Sequence, residues 1–246
     1  MPRLLDLFCG RWGWSKAFSA RGWECVGVDL VEPPEIPQGC TFIAMDVLNL
    51  RCSKGSRIWR YDKPHCELGE FDFICASSPC EKFSVHGMKH FHPNPPYPEL
   101  GIKLFNHTRE ICEASGVPYV MENVRAAQQF VGQAVHHCGP FYLWGKGVPP
   151  LLHQGKFAKG MRFMPGNVYK SNGFDKLPIE LRRKVRTNYQ IEKVNADGGK
   201  RRNVTARTAT IPPELANCVA DYAERLLEMK ARTQPEHIPC VVPQSY

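Results

Sequence analysis

Two side chains with reactive chemistry each follow a short apolar run. Cys80 comes just after Phe71-Asp72-Phe73-Ile74-Cys75-Ala76, by way of Ser78-Pro79, and Glu122-Asn123-Val124 continues Tyr119-Val120-Met121. A thiol and a carboxylate, each at the end of a buried strand, make one candidate reaction centre. In an open α/β sheet a residue just past a strand's carboxyl end faces the crevice where ligands bind, whereas a mid-strand cysteine packs. Position therefore marks Cys80 as a nucleophile. A thiol of ordinary pKa, about 8.5, is mostly protonated at neutral pH, so a nearby positive charge or helix end would assist it.

The elements that must position this pair begin at the first residues. Arg3 to Phe8 reads as a buried strand, Cys9 to Trp14 as a tight turn, Ser15 to Arg21 as a helix closed by Gly22, and Trp23 to Leu30 as a second strand. A strand, a glycine-containing turn, a helix and a strand ending in an acid form a nucleotide-binding unit. Gly10 and Gly13 let backbone amides approach a ligand, Asp29 can hold two ribose hydroxyls, and Asp46 can accept from an adenine amino group. Thr41 to Met45 predicts a third strand ending at Asp46, Phe71 to Ala76 a fourth, Leu100 to Ala114 a helix, and Pro118 to Met121 a further strand. Arg51 to Gly69 and Phe83 to Pro98, polar or crowded with proline and histidine, read as loops. In Pro212 to Lys230, Leu215, Cys218, Val219, Tyr222, Leu226 and Met229 recur at helical spacing, so this helix should pack back on the sheet.

With 246 residues, 43% of them hydrophobic, the chain can bury one large core. The net charge of +8 is unevenly spread: residues 155 to 210 hold fourteen Lys and Arg against Asp175, Glu180, Glu192 and Asp197, an excess of ten, which leaves the remainder at −2. A basic segment beside a near-neutral body points to a polyanionic partner, nucleic acid being the commonest. Met1-Pro2-Arg3-Leu4-Leu5 has no secretory-signal pattern, and no apolar run is long enough to span a bilayer. Eleven cysteines at irregular spacing suit reduced thiols and a cytoplasmic setting better than a disulfide framework. Neither Cys40, Cys52, His65 and Cys66 nor His86, His90 and His92 has the paired spacing of a zinc module, so no metal is expected.

Asp6-Leu7-Phe8-Cys9-Gly10, Ser78-Pro79-Cys80-Glu81-Lys82-Phe83-Ser84 and Glu122-Asn123-Val124, in this order, resemble the glycine, Pro-Cys and Glu-Asn-Val motifs of the DNA cytosine C5-methyltransferases. The ending around Ile211-Pro212-Pro213-Glu214-Leu215-Ala216 is similar to that of compact phage-like members. The resemblance implies a Rossmann-like, S-adenosylmethionine-dependent methyltransferase fold with a small basic target-recognition lobe. Residues 1–154 would be the catalytic and cofactor-binding domain, 155–210 the target-recognition region, and 211–246 a helix packing back on the catalytic domain, then a tail. It further implies that Cys80, Glu122 and Asn123 are catalytic, and that Asp6, Phe8, Cys9, Gly10, Trp12, Gly13, Asp29, Leu30, Asp46, Val47, Ser78 and Pro79 bind S-adenosylmethionine. Double-stranded DNA with a flipped-out cytosine would be held by Lys82, Ser84, Lys89, Arg162, Arg182, Arg183, Arg186, Arg201, Arg202 and Arg207. A monomer acting on DNA without a membrane is the expectation.

The chain departs from the family pattern at named positions. Trp12-Gly13 stands where the family has two glycines, Ser78 where it has proline, and Glu81 where it has glutamine; its Gln-x-Arg-x-Arg and Gly-Asn-Ala-Val elements have no clean match. An idle DNA-binding paralogue and an RNA cytosine C5-methyltransferase therefore stay open as alternatives.

Overall fold

The computed structural model describes residues 1–52, 58–60, 67–87, 93–150 and 210–233. In chain order these form strand β1 (Arg3–Leu7), helix α1 (Ser15–Ser19), β2 (Glu24–Asp29), β3 (Cys40–Ala44), β4 (Leu50–Cys52), β5 (Ile58–Arg60), β6 (Glu67–Gly69) and β7 (Phe73–Ser77). Then come α2 (Glu81–Gly87), α3 (Glu99–Ser115), β8 (Tyr119–Asn123), α4 (Gln128–Val131), β9 (His136–Cys138), β10 (Phe141–Trp144) and α5 (Pro213–Thr233).

Seven strands make the central sheet in the order β3-β2-β1-β7-β8-β10-β9. Pairing is parallel from β3 through β8, and β10 runs antiparallel to both β8 and β9. This is the Rossmann-like methyltransferase architecture, with helices on both faces. Alternation along the strands divides the side chains between two cores. Leu5, Leu7, Val26, Val28, Ile74, Ala76 and Met121 pack with Phe83, Phe105 and Ile111. Leu4, Cys25, Phe73, Cys75, Val120 and Leu143 face the other way, against Trp14, Phe18 and the α5 residues Leu215, Ala216, Val219, Ala220 and Ala223.

Helix α5 forms because one stripe of its surface is apolar, and that stripe lies on α1 and the sheet. Arg21 fastens its outer edge, donating to Asn217 Oδ1 at 2.6 Å and Asp221 Oδ1 at 2.7 Å, with Glu224 at 3.8 Å.

Two segments read as loops contain regular structure. Within Arg51 to Gly69, β4, β5 and β6 form a small antiparallel sheet, anchored by the fully buried Leu50 and Ile58. Its strands span three residues each, too short for an alternating pattern to stand out. Phe83 to Pro98 begins inside α2, where the fully buried Phe83 pins the helix to the core. His136–Cys138 and Phe141–Trp144 also pair as strands in a region for which the sequence suggested none. Among the described residues no helix is long and apolar enough to cross a membrane, and the nine described cysteines are unbridged.

Candidate active site

The strand order reverses between β1 and β7, each of which lies beside the other while their chain neighbours run outward in opposite directions. Such a switch point opens a crevice at the strands' carboxyl ends. Here it is lined by Phe8, Cys9, Gly10, Arg11, Gly13, Trp14, Ser77, Thr210 and Ile211. The backbone after β1 bends sharply, with positive φ at Phe8 (60°), Gly10 (48°) and Trp12 (62°). A left-handed conformation is uncommon for residues with bulky side chains, and such strain clusters at functional sites.

Asp29, at the end of β2, holds this turn in place: its Oδ2 accepts from Gly10 N–H at 3.0 Å and its Oδ1 from Leu30 N–H at 2.7 Å. Asp46 caps the short 3-10 turn Val47–Asn49, accepting from Leu48 N–H at 2.9 Å. Val47 is buried, whereas Leu30 is 69% exposed at the rim.

Asp6 lies one residue pair below the rim, with no exposed surface. Its Oδ2 accepts from Ser15 Oγ at 2.6 Å and Ser15 N–H at 3.2 Å, while Oδ1 has no hydrogen-bond partner among the described residues. Burial, opposed in part by the Ser15 hydrogen bonds, pushes its pKa from the ordinary 3.8 up to about 7. Cys9 and Cys75 are buried, and desolvation followed by the nearby Asp6 pushes both thiols upward, so neither supplies a thiolate at neutral pH.

Cys80 is half-buried, three residues beyond the end of β7. Its carbonyl accepts from Ser84 N–H at 2.8 Å, closing the first turn of α2. Glu122, itself buried, sits directly opposite Ser77 in the β7–β8 register, and neighbouring strands lie about 4.8 Å apart. Asn123 joins the two segments. Its Nδ2 donates to both the carbonyl and the Oγ of Ser78 at 3.0 Å, and its Oδ1 accepts from Val124 N–H at 2.9 Å. The carboxylate strand thus grips the loop that carries the thiol.

Beside Cys80, a groove of about 450 Å³ runs between α2 and the segment before α3, lined by Glu81, Lys82, Val85, Pro96, Tyr97, Glu99 and Leu100. Lys82 is exposed there, and Ser84 is half-buried on the same helix. His86 packs edge-on against Phe130 and donates from Nε2 to the Pro96 carbonyl at 2.8 Å.

Of the cofactor residues expected from sequence, Phe8, Cys9, Gly10 and Gly13 line the crevice; Ser78 is buried behind it and Pro79 is exposed. Trp12 is not in the lining. Its indole is buried against Gly27, with Nε1 donating to the Glu35 carbonyl at 3.0 Å. Sequence reasoning missed Arg11, Trp14, Ser77, Thr210 and Ile211. Trp14 Nε1 donates to Ser77 Oγ at 2.9 Å, tying the turn after β1 to the end of β7, and no motif announces that pairing. Lys89, Arg162, Arg182, Arg183, Arg186, Arg201, Arg202 and Arg207 lie outside the described residues, as do His65, Cys66, His90 and His92.

A sheet of this order, parallel from β3 to β8 and closed by the antiparallel β10, is that of the Rossmann-like methyltransferases. The chain belongs to the C-5 cytosine-specific DNA methylase family, whose sequence pattern it matches over residues 2–131. That is a family of S-adenosylmethionine-dependent DNA cytosine methyltransferases, and the match takes in the glycine turn, Cys80 and Glu122. No curated protein matches the chain. Among solved structures it is similar to a DNA modification methyltransferase encoded within an E. coli prophage, at 18% identity and a TM-score of 0.33, covering 52% of this chain and 34% of that one. It is also similar to the 1,6-didemethyltoxoflavin-N1-methyltransferase of Burkholderia thailandensis, at 17% identity and a TM-score of 0.29, covering 59% and 54% of the two chains. The chain thus spans about a third of the length of the prophage protein.

Proposed function

We propose that this protein transfers a methyl group to C5 of cytosine in DNA, with Cys80 as the covalent nucleophile toward a base turned out of the helix. The observation that carries this reading is the Asn123 clamp, which joins the loop bearing Cys80 to the strand bearing Glu122 at the sheet's switch point.

The residues present fit S-adenosylmethionine. The bent turn at Phe8 and Gly10 brings backbone to the crevice, Asp29 would hold the ribose hydroxyls, and Asp6 Oδ1, buried beneath the rim with no hydrogen-bond partner among the described residues, is a polar atom left for a water on the ligand side. When bound, this cofactor supplies an electrophilic methyl group on a sulfonium. Cytosine C5 is a poor nucleophile until the ring is activated, and a thiolate is the side chain suited to adding at C6 near neutral pH. Cys80 Sγ forms that bond while Glu122 hydrogen-bonds N3 and the exocyclic amine, stabilising the charge that develops on the ring. After C5 has gained the methyl group it loses its proton, the C6–Sγ bond breaks, and Cys80 is regenerated.

Lys82, exposed on α2, and Ser84 would meet the DNA backbone beside the turned-out base, and the basic sequence of 155–210 would supply further phosphate contacts. The test is a DNA duplex carrying 5-fluorocytosine, whose fluorine blocks the elimination step. A denaturation-resistant adduct that maps to Cys80 and is lost in Cys80→Ser supports the assignment. An adduct that persists in Cys80→Ser refutes it, and preferential trapping of an RNA analogue would shift the substrate to RNA.

A further inference from the structure

Trp12 stands where the family pattern has glycine, and its surroundings are shaped to receive it. The indole is 1% exposed and meets Phe42 of β3 edge-on, with ring centroids 6.3 Å apart. A Cβ built on Gly27 would come within 2.2 Å of the Trp12 ring and 2.9 Å of Cys9 Sγ. No residue but glycine therefore fits at position 27 of β2 while the indole is in place. The Nε1–H donates to the Glu35 carbonyl at 3.0 Å, across to the segment that links Asp29 at the end of β2 with β3. Apart from the buried Pro33, that segment has few other anchors: Leu30 and Val31 are 69% and 73% exposed, Glu32, Pro34, Glu35 and Ile36 are exposed as well, and its three prolines donate no backbone hydrogen bond.

One side chain thus packs on the sheet beneath the glycine turn and reaches out to the linker that begins at the candidate ribose acid. We propose that Trp12 is a positioning residue for the nucleoside end of the cofactor: it does not touch the ligand but fixes residues 30–37 against the turn, so that Asp29 and Leu30 are presented in one arrangement. This inference rests on the reading of the crevice as an S-adenosylmethionine site. An ordered linker spares the ligand the cost of ordering it, and the anchoring involved is one neutral hydrogen bond plus ring packing.

The experiment compares wild type with Trp12→Phe, which keeps an aromatic ring but removes the donor. Calorimetry with S-adenosylhomocysteine should show affinity weakened about five-fold, the equivalent of one net hydrogen bond of roughly 1 kcal/mol. Amide exchange in the ligand-free protein should quicken across residues 30–37 and stay unchanged in β1 and α5. In turnover assays KM for S-adenosylmethionine should rise while kcat is kept. Equal affinity together with unchanged exchange in 30–37 overturns the proposal, as does faster exchange spread evenly over the sheet, which would mark Trp12 as core packing alone. If Trp12→Phe does not fold, wild type is followed with and without S-adenosylhomocysteine: slower exchange of the 30–37 amides on binding supports the linkage, and no change refutes it. Failure of wild type itself to bind S-adenosylhomocysteine would defeat the cofactor reading, an outcome distinct from normal binding with an indifferent Trp12→Phe.

Discussion

Replacing Asn123 by alanine should separate the clamp from the chemistry it supports. The side chain is fully buried and makes three hydrogen bonds, two to Ser78 at 3.0 Å and one from Val124 N–H at 2.9 Å. At roughly 1 kcal/mol each the bonds alone contribute about 3 kcal/mol, and the Ser78 carbonyl and Val124 N–H left unpaired raise the expected loss toward about 5 kcal/mol. Against a typical domain stability of about 5–15 kcal/mol, the variant should still fold, with a markedly lower midpoint in urea. Under conditions where it remains native, S-adenosylhomocysteine affinity should change little, because the cofactor turn lies on β1 and β2. The rate of adduct formation with 5-fluorocytosine DNA should fall at least ten-fold, because the loop carrying Cys80 is no longer tied to the strand carrying Glu122. Asn123→Asp serves as the control of shape: it can still accept from Val124 but turns an oxygen toward the Ser78 carbonyl, so its adduct rate should be equally poor. A destabilisation below about 1 kcal/mol, or an adduct rate matching wild type, would refute the clamp.

Three further outcomes follow from the same structure. Because the pKa of Asp6 is raised in the folded state from 3.8 to about 7, the native state holds its proton where the unfolded chain has lost it. Its contribution is therefore complete below about pH 4 and is lost as pH rises through 7, on the order of 4 kcal/mol in all, of which roughly 3 kcal/mol falls between pH 5 and 8, where urea titrations would register it and Asp6→Asn would flatten it. Gly27→Ala should destabilise by about 1–3 kcal/mol through overpacking against Trp12, and adding Trp12→Gly should recover part of that loss, a non-additivity measurable by thermal unfolding. Arg21→Ala should weaken the docking of α5 by about 1 kcal/mol, and less in high salt because the acids it meets are exposed.

The parts of the fold legible in sequence are those where local pattern and tertiary role agree. The strand-turn-helix-strand unit from Arg3 to Asp29 was readable because Leu4-Leu5 and Cys25-Val26-Gly27-Val28 are uninterrupted apolar runs followed by turn residues, and α5 because one continuous stripe is buried. The short antiparallel strands β4 to β6 were not, since three residues carry too little periodicity and their pairing is decided by neighbours rather than propensity. Strands β9 and β10 were missed for a related reason: Phe141-Tyr142-Leu143-Trp144 is a strand because it adds antiparallel to β8, a fact of topology. At the candidate site, Cys80 and Glu122 stand out at the ends of their runs and Asn123 only through the family resemblance, and which atoms Asn123 holds was not legible. Trp12 lies outside the crevice lining, and no local pattern announces its fit against Gly27, fifteen positions away in sequence and adjacent in space.

The contact of Ile211 with Gly13 has a consequence for biosynthesis. A Cβ on Gly13 would lie 2.9 Å from Ile211, so the segment leading into α5 forms one wall of the pocket whose opposite wall is made near the start of the chain. While the polypeptide is still leaving the ribosome, the glycine turn and the ten described strands can exist before that wall does. Until then Leu4, Trp14, Phe18 and Trp23 lack the cover that Leu215, Val219 and Ala223 later provide. Without α5 that face of the sheet would stand open to water, and the crevice would lack the wall that Ile211 supplies.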